Sequence, residues 1–190
     1  MEALQRNLTV ITSLGRRYCG KVDIPNKNFR STDLLNSPTA YCRNPVEKCY
    51  ENVLLMYDVT LYVDHFAIYK RFEKIQVKMQ EIVFFYDELD NVGDASEKKR
   101  ASSIMAQVDE DARKVNIITR MVGTSFYDIT GTFYGLFKKK SKDRFFPISR
   151  AEIVEIYKKE EKWGKKLIQL PHHFLCINNS FVESLVVGSG

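Results

Sequence analysis

Apolar and polar residues alternate along much of this chain, in short runs that end at glycine, proline or asparagine. The clearest run is NVLLMYDVTLYVD at 52–64, and NLTVITSL at 7–14 and RYCGKVDIP at 17–25 are shorter examples. Because successive side chains of a strand point to opposite faces, such alternation is typical of strands that bury one face. Ten Tyr and twelve Phe residues favour the same structure, since aromatic rings suit a pleated, half-buried surface. The sequence therefore predicts a mostly antiparallel β protein.

Length and composition are those of a globular protein. The 190 residues suffice for one substantial core or for two small cores packed together. The longest apolar stretch, 53–69, is interrupted by Asp58 and Asp64, which argues against a membrane span. Four cysteines are too few for a disulfide scaffold, so we expect reduced thiols and a cytoplasmic location. The terminal GSG, 188–190, resembles the remnant of an expression tag and is left out of the fold prediction.

One segment departs from the alternation and predicts a helix. Asp94 with Glu97 three residues later resembles a capping box. Apolar residues then recur at helical spacing at Ala101, Ile104, Met105, Val108 and Ala112. The prediction is an amphipathic helix near 95–112 and an α+β class. The polar stretch at its start divides the chain into an N-terminal β-barrel-like part, 1–88, and a helix with a second β-rich part, 95–187.

The second part has features of a small barrel. In SFYDITGTFYGLFKK (125–139), glycine and phenylalanine alternate on one face, which suits a sharply curved strand. The segment AEIVEIY (151–157) fits a helix that begins near Ser149, and it also fits a strand; we favour the helix. A faint similarity between 12–35 and 124–148 leaves open whether the two parts are a duplication, or whether the C-terminal strands complete the first barrel.

The stretch FRSTDLLNSP (29–38) predicts a short helical turn that closes one end of the β structure. Ser31 or Thr32 can cap the turn, and Asp33 favours its positive end. Leu34 and Leu35 then point into the core, and Asn36 ends the turn.

Several of these segments resemble an uncharacterised bacterial family of short β-rich proteins. The similarity lies in GKVDIP, FRSTDLLNS and VLLMYDVTLYV near the N-terminus and in HFLCINNSFVESLVV near the C-terminus. The matching positions are Gly20, Arg30, Asp33, Leu35, Asn36, Asp58, Val59, Thr60, Ile177 and Asn178. The resemblance covers under half of the chain. It implies one Sm-like or SH3-like barrel built from the first 64 and last 20 residues, with 70–165 as an insertion, and it implies no activity.

No motif of known catalytic or cofactor chemistry is present in the sequence. It contains no glycine-rich phosphate loop, no G-x-S-x-G, no H-E-x-x-H and no C-x-x-C. His172, His173 and Cys176 do not share one strand face, so they do not predict a metal site. We therefore expect no catalytic residue, no metal and no cofactor, and a protein that is not an enzyme.

Basic residues are concentrated in one segment, which suggests a binding surface. Residues 136–166 hold eleven Lys or Arg against five Asp or Glu. Within it the candidate partner-binding residues are Lys138, Lys139, Lys140, Lys142, Arg144, Phe145 and Phe146. We expect a protein–protein interaction or assembly module of a bacterial cytoplasmic complex, whose partner is another copy or an acidic protein surface. The alternative is a nucleic-acid-binding small β-barrel that uses 136–166, with rings such as Trp163 as stacking partners.

Overall fold

The computed structural model describes residues 4–26, 31–36, 52–63, 67–87, 112–134 and 144–188. This part of the chain is almost entirely β structure, as the alternation predicts. The strands are β1 (Leu4–Thr12), β2 (Arg17–Ile24), β3 (Val53–Val63), β4 (Ala67–Lys78), β5 (Ile82–Asp87), β6 (Ala112–Thr119), β7 (Ser125–Tyr134), β8 (Phe145–Lys159), β9 (Lys162–Ile168), β10 (Phe174–Asn178) and β11 (Val182–Gly188). One helix, α1 (Ser31–Asn36), and two 3₁₀ turns, Met79–Glu81 and Asn179–Phe181, accompany them.

All eleven strands belong to one antiparallel sheet that does not close on itself. The order is β11-β6-β7-β8-β10-β5-β1-β2-β3-β4, and β9 pairs with β8 beside this row. The N-terminal five strands thus lie together as β5-β1-β2-β3-β4. In the C-terminal half, β9 and β10 pair with opposite ends of the long strand β8, so together they occupy the place that β4 has beside β3.

Both halves contain the same β-bulge. Gly20 in β2 lies where the pairing with β3 shifts by one residue, and Gly131 in β7 lies at the corresponding shift with β8. Opposite them, Asp58 and Arg150 have positive φ values of 50° and 51°. A Cβ on Gly20 would lie 2.7 Å from a backbone oxygen of β3, and one on Gly131 would lie 2.9 Å from a backbone oxygen of β8. Both bulges therefore require glycine, because the neighbouring backbone fills the space of a side chain.

The last strand of each half returns in the same way. A 3₁₀ turn precedes it, and in both turns the flanking residues have nearly identical extended backbone angles. The amide of Ser13 donates to the carbonyl of Glu81 at 2.8 Å, and the amide of Arg120 donates to that of Phe181 at 2.8 Å. β5 then pairs with β1, and β11 pairs with β6. The two halves therefore repeat one backbone arrangement.

The two halves meet where β5 pairs with β10. Two hydrophobic cores lie on either side of this junction. Ile82 and Phe85 of β5 enter the first core, whereas Val83, Phe84 and Tyr86 enter the second. Every residue of β5 is buried. The junction strand thus stabilises both cores at once.

α1 covers this junction. Leu34 and Leu35 are buried in the first core, as the stretch at 29–38 predicts. The side-chain amide of Asn36 donates to the carbonyl of Phe145 at 2.8 Å, and its oxygen accepts from the Phe145 amide at 2.9 Å. These two bonds complete the backbone hydrogen bonding at the start of β8 and link α1 to the C-terminal half.

Three predicted elements can be compared with the described strands. The helix favoured at 149–157 is wrong: the segment is part of β8, where Ala151, Ile153 and Glu155 alternate as buried residues against exposed or half-buried neighbours. Of the two C-terminal strands that could complete the first barrel, β10 pairs with β5 of the N-terminal half and β11 pairs with β6 of the C-terminal half. The helix predicted near 95–112 lies outside the described residues except for its last residue, which begins β6.

Replacing Leu35 with alanine tests the role of α1. Because Leu35 is fully buried, we expect Leu35→Ala to lower the free energy of unfolding by about 2–5 kcal/mol, through lost burial and the cavity that remains. Leu14→Ala is the matched control, since Leu14 is 63% exposed and its loss is expected to cost less than about 0.5 kcal/mol. Urea denaturation measures both values. Equal stability of the two variants would contradict the placement of α1 on the core.

Candidate interaction surface

The predicted partner-binding segment is only partly described. Lys138, Lys139, Lys140 and Lys142 lie outside the described residues. Arg144 is half-buried at the start of β8. Phe145 is fully buried and packs edge to face on Phe85 with ring centroids 5.2 Å apart, and Phe146 is half-buried against Phe133. The expectation that Phe145 is available to a partner is therefore corrected, because its ring belongs to the first core.

The predicted structural turn at Ser31–Asn36 is anchored by a buried polar cluster. The Ser31 hydroxyl donates to Asp87 Oδ2 at 2.5 Å and accepts from Arg6 Nη1 at 3.2 Å. Arg6 Nη1 also lies 3.7 Å from Asp87 Oδ2, and both side chains are buried. The Ser31 hydroxyl thus links α1 to β1 and β5. Such a paired, buried cluster holds the turn in one place, since removing one partner would leave a buried charge without compensation.

The outer edge of β11 is an exposed strand edge with mostly apolar side chains. Leu185, Val186 and Val187 are all exposed, and Val186 retains 62% of its accessible surface. β11 pairs with β6 on one side, and among the described strands none pairs with its other side. An uncovered strand offers a row of backbone N–H and C=O groups to another chain, and exposed apolar side chains beside that row favour its burial.

The opposite end of the sheet, β4, is a basic edge. β4 pairs with β3 on one side, and it is the last strand in the described order. Its exposed residues include Lys70, Arg71, Lys74 and Lys78 against Glu73. Positive charges along an edge disfavour pairing with an identical edge and favour an acidic or neutral one.

A third exposed feature is the hairpin formed by the end of β8 and β9. Residues 158–166 hold five lysines against two glutamates. Trp163 is 57% exposed and contacts Phe126 edge to face at 6.0 Å between ring centroids. This hairpin lies within the predicted basic segment, and it presents an accessible ring next to cations.

Sequence reasoning missed the two sheet edges. The prediction of a binding surface at 136–166 was based on net charge. The position of an edge is set by which strand lies last in the sheet, and the strand order depends on pairing between residues far apart in the chain. One signal was available: β5 reads IVFFYD and β11 reads VESLVV, so the second strand carries Glu183 and Ser184 where a doubly covered strand is apolar.

The described residues contain few other features of chemical interest. No group of three or more His, Cys, Asp or Glu side chains within them lies close enough together to hold a metal ion. Cys19 and Cys176 take part in no disulfide bond within the described residues, and Cys42 and Cys49 lie outside those residues. No helix in the described part is long and apolar enough to cross a membrane.

Tyr127 is a buried polar residue of the second core, and the buried side chain of Glu155 acts on it electrostatically. Both are fully buried, and the Tyr127 ring packs edge to face on Phe84 at 4.9 Å. Burial raises the pKa of Tyr127 above its usual range, and the nearby Glu155 carboxylate and then Tyr86 raise it further. Within the described part of the chain, the Tyr127 hydroxyl has no hydrogen-bond partner. The phenol is thus held neutral and enclosed within the second core.

Tyr127→Phe tests this interpretation through pH. A folded pKa above the unfolded value near 10 means that the unfolded chain loses its proton first, so this contribution to stability is fully present below about pH 10 and is lost as the pH rises toward the folded pKa. We expect the free energy of unfolding of the native protein to fall more steeply between pH 9 and about 11 than that of Tyr127→Phe. At pH 7 the two free energies of unfolding are expected to agree within about 1 kcal/mol, because the hydroxyl makes no hydrogen bond to any described residue. Parallel pH profiles in urea denaturation would contradict the assignment.

Compared with models of known protein families, with curated protein sequences and with solved structures, the chain matches none.

Proposed function

We propose that this protein is a non-enzymatic assembly module of a bacterial cytoplasmic complex, and that it binds other protein chains by extending its sheet. The observation that carries the proposal is the outer edge of β11, where Leu185, Val186 and Val187 are exposed beside backbone groups that no described strand covers. Strand addition suits such an edge, because backbone hydrogen bonds supply affinity and alternate side chains supply specificity.

A barrel-like form of each half supports the same function. We propose that each half is a partly open barrel of the Sm or SH3 type. Three features support this proposal. Each half has the same order of strands, and each has a 3₁₀ turn before its last strand. The bulges at Gly20 and Gly131 also bend the neighbouring strands. An open barrel leaves its fourth and last strands available at the rim. The basic residues of β4 support an acidic surface as the partner of that edge.

The mass of the complex in which the protein is purified from its source cells tests this proposal. A tagged native chain is expected to purify in a complex larger than its own 22.1 kDa. Val186→Lys is expected to purify at 22.1 kDa, because pairing at this edge would bury the lysine and is therefore opposed. Leu167→Lys on β9 is the matched control; Leu167 is 58% exposed and lies away from both terminal edges. Native mass spectrometry reads the masses, and circular dichroism confirms that each variant folds. A native chain found only at 22.1 kDa would refute the proposal.

A second candidate function is binding of single-stranded nucleic acid by the β8–β9 hairpin. The specific observation that favours it is Trp163, which is exposed next to Lys162 and Lys165. Stacking of a base on an aromatic ring contributes about 1–3 kcal/mol, and contacts with phosphates weaken steeply as salt rises.

Fluorescence anisotropy with a single-stranded RNA oligonucleotide separates the two functions. If the hairpin is the site, Trp163→Ala is expected to weaken binding by about 10- to 100-fold, while Tyr69→Ala, which removes an exposed ring from β4, has no effect. Our primary proposal predicts no micromolar binding at about 0.15 M salt. Tight, salt-dependent binding that requires Trp163 would replace the assembly function with the nucleic-acid function.

A further inference from the structure

The junction between the two halves is a template for contacts between copies. At this junction β5, the last strand of the first half, pairs with β10, the strand that precedes the 3₁₀ turn of the second half. Cys176 lies opposite Phe85, and Ile177 lies opposite Phe84. The contact joins two different edges, so it is heterologous, and a heterologous contact leaves one edge of each kind uncovered.

The two terminal strands of the described row, β11 and β4, are the counterparts of the two strands joined at the junction. β11 follows the second 3₁₀ turn as β5 follows the first, and Ile82 and Val182 occupy the same position after their turns. Ile82 pairs with Thr12 and Val182 with Thr119, each beside the same kind of register shift. Likewise, the end of β4 precedes the first 3₁₀ turn as β10 precedes the second, so Lys78 corresponds to Asn178.

This correspondence gives a register for pairing β11 of one copy with β4 of another. Transferring the pairs of the internal junction places Leu185 opposite Gln76 and Ser184 opposite Val77. One step to either side, antiparallel pairing places Val186 opposite Ile75 and Glu183 opposite Lys78.

The side chains at these positions are complementary. Glu183 is the one charged residue of β11 and meets Lys78, the last basic residue of β4. Val186, which is mostly exposed, meets the half-buried Ile75. Pairing β4 with another β4 would bring two basic strands together, and like charges on adjacent strands oppose pairing. The charges therefore favour the head-to-tail contact over a symmetric contact between β4 edges.

We propose that copies of this chain associate head to tail, with β11 of one copy pairing with β4 of the next in the register Glu183–Lys78 and Val186–Ile75. The inference rests on the proposed function and names another copy as the partner. Each added copy repeats the geometry that already relates the two halves, so the series closes into a ring or continues as a filament according to the rotation at each contact. On assembly, the exposed apolar residues of β11 become covered as those of β5 already are.

A charge exchange tests the register with purified protein. Lys78→Glu and Glu183→Lys each place like charges opposite one another, and each is expected to raise the dissociation constant of self-association about tenfold. Mixed in equal amounts, the two variants are expected to regain the native affinity, because every contact in an alternating series pairs opposite charges. Lys165→Glu and Glu152→Lys are the matched controls: both residues are exposed and neither lies on β4 or β11.

Sedimentation velocity over a range of concentrations measures these constants, and Val186→Lys is the stronger interruption, with a loss greater than tenfold expected. A mixture that stays as weak as its components overturns the register. A native chain that remains monomeric at about 1 mM, well above typical affinities for specific contacts, overturns self-association. If the purified chain is monomeric but still forms a larger complex in cells that requires Val186, the proposed function stands and the partner is a different protein. If no such complex forms in cells either, both the proposed function and self-association are refuted.

Discussion

The pairing of β5 with β10 is the interaction on which the rest of the structure depends. β5 is hydrogen-bonded to β1 on one side and to β10 on the other, and its side chains enter both hydrophobic cores. Because neither face of β5 reaches solvent, it has to be apolar along nearly its whole length, and IVFFYD satisfies this requirement. Its one charged residue, Asp87, is paired with Arg6 and accepts a hydrogen bond from Ser31 at the base of α1. The junction therefore accounts for the apolar strand, for the buried polar cluster and for the position of the short helix, which are unrelated features in the sequence.

The repeated backbone depends on few residues. At Gly20 and Gly131, two residues of the neighbouring strand lie opposite a single glycine. One residue of each opposing pair, Asp58 or Arg150, adopts a positive φ, and these two residues have opposite charges. Such conformations cost of order 1 kcal/mol or more for a residue with a side chain, so surrounding pairing must hold them in place. Agreement of both bulges and both 3₁₀ turns, with little agreement in side chains, indicates that strand pairing and bulge geometry define this fold more than the identity of core residues does.

Local patterns in the sequence predicted the β class, the strands at 7–14 and 17–25, and the turn that buries Leu34 and Leu35, because alternation and turn chemistry act over a few residues. AEIVEIY was assigned incorrectly because Ile153 and Ile156 fit a helical spacing as well as they fit a strand with a covered face, and only the pairing of β8 with β7 and β9 decides between them. The strand order could not be predicted, since it depends on contacts between residues far apart in the chain. The candidate surface was missed for the same reason, whereas the burial of Phe145 reflects a contact with Phe85 that no local pattern contains.

Where two halves share a backbone, the positions at which their side chains differ indicate where each half has a separate task. The core positions differ conservatively: Ile82 corresponds to Val182, and both are apolar. A larger difference lies just before each 3₁₀ turn, where Asn178, whose amide donates to the carbonyl of Ile82 within the junction, corresponds to the exposed Lys78 on the terminal strand β4. A neutral amide suits the junction because it satisfies a buried carbonyl, whereas an exposed lysine on a terminal strand opposes pairing with another basic edge. The same contrast, between a strand that is paired on both sides and a strand that is paired on one side within the described sheet, accounts for the apolar β5 and the mixed composition of β11.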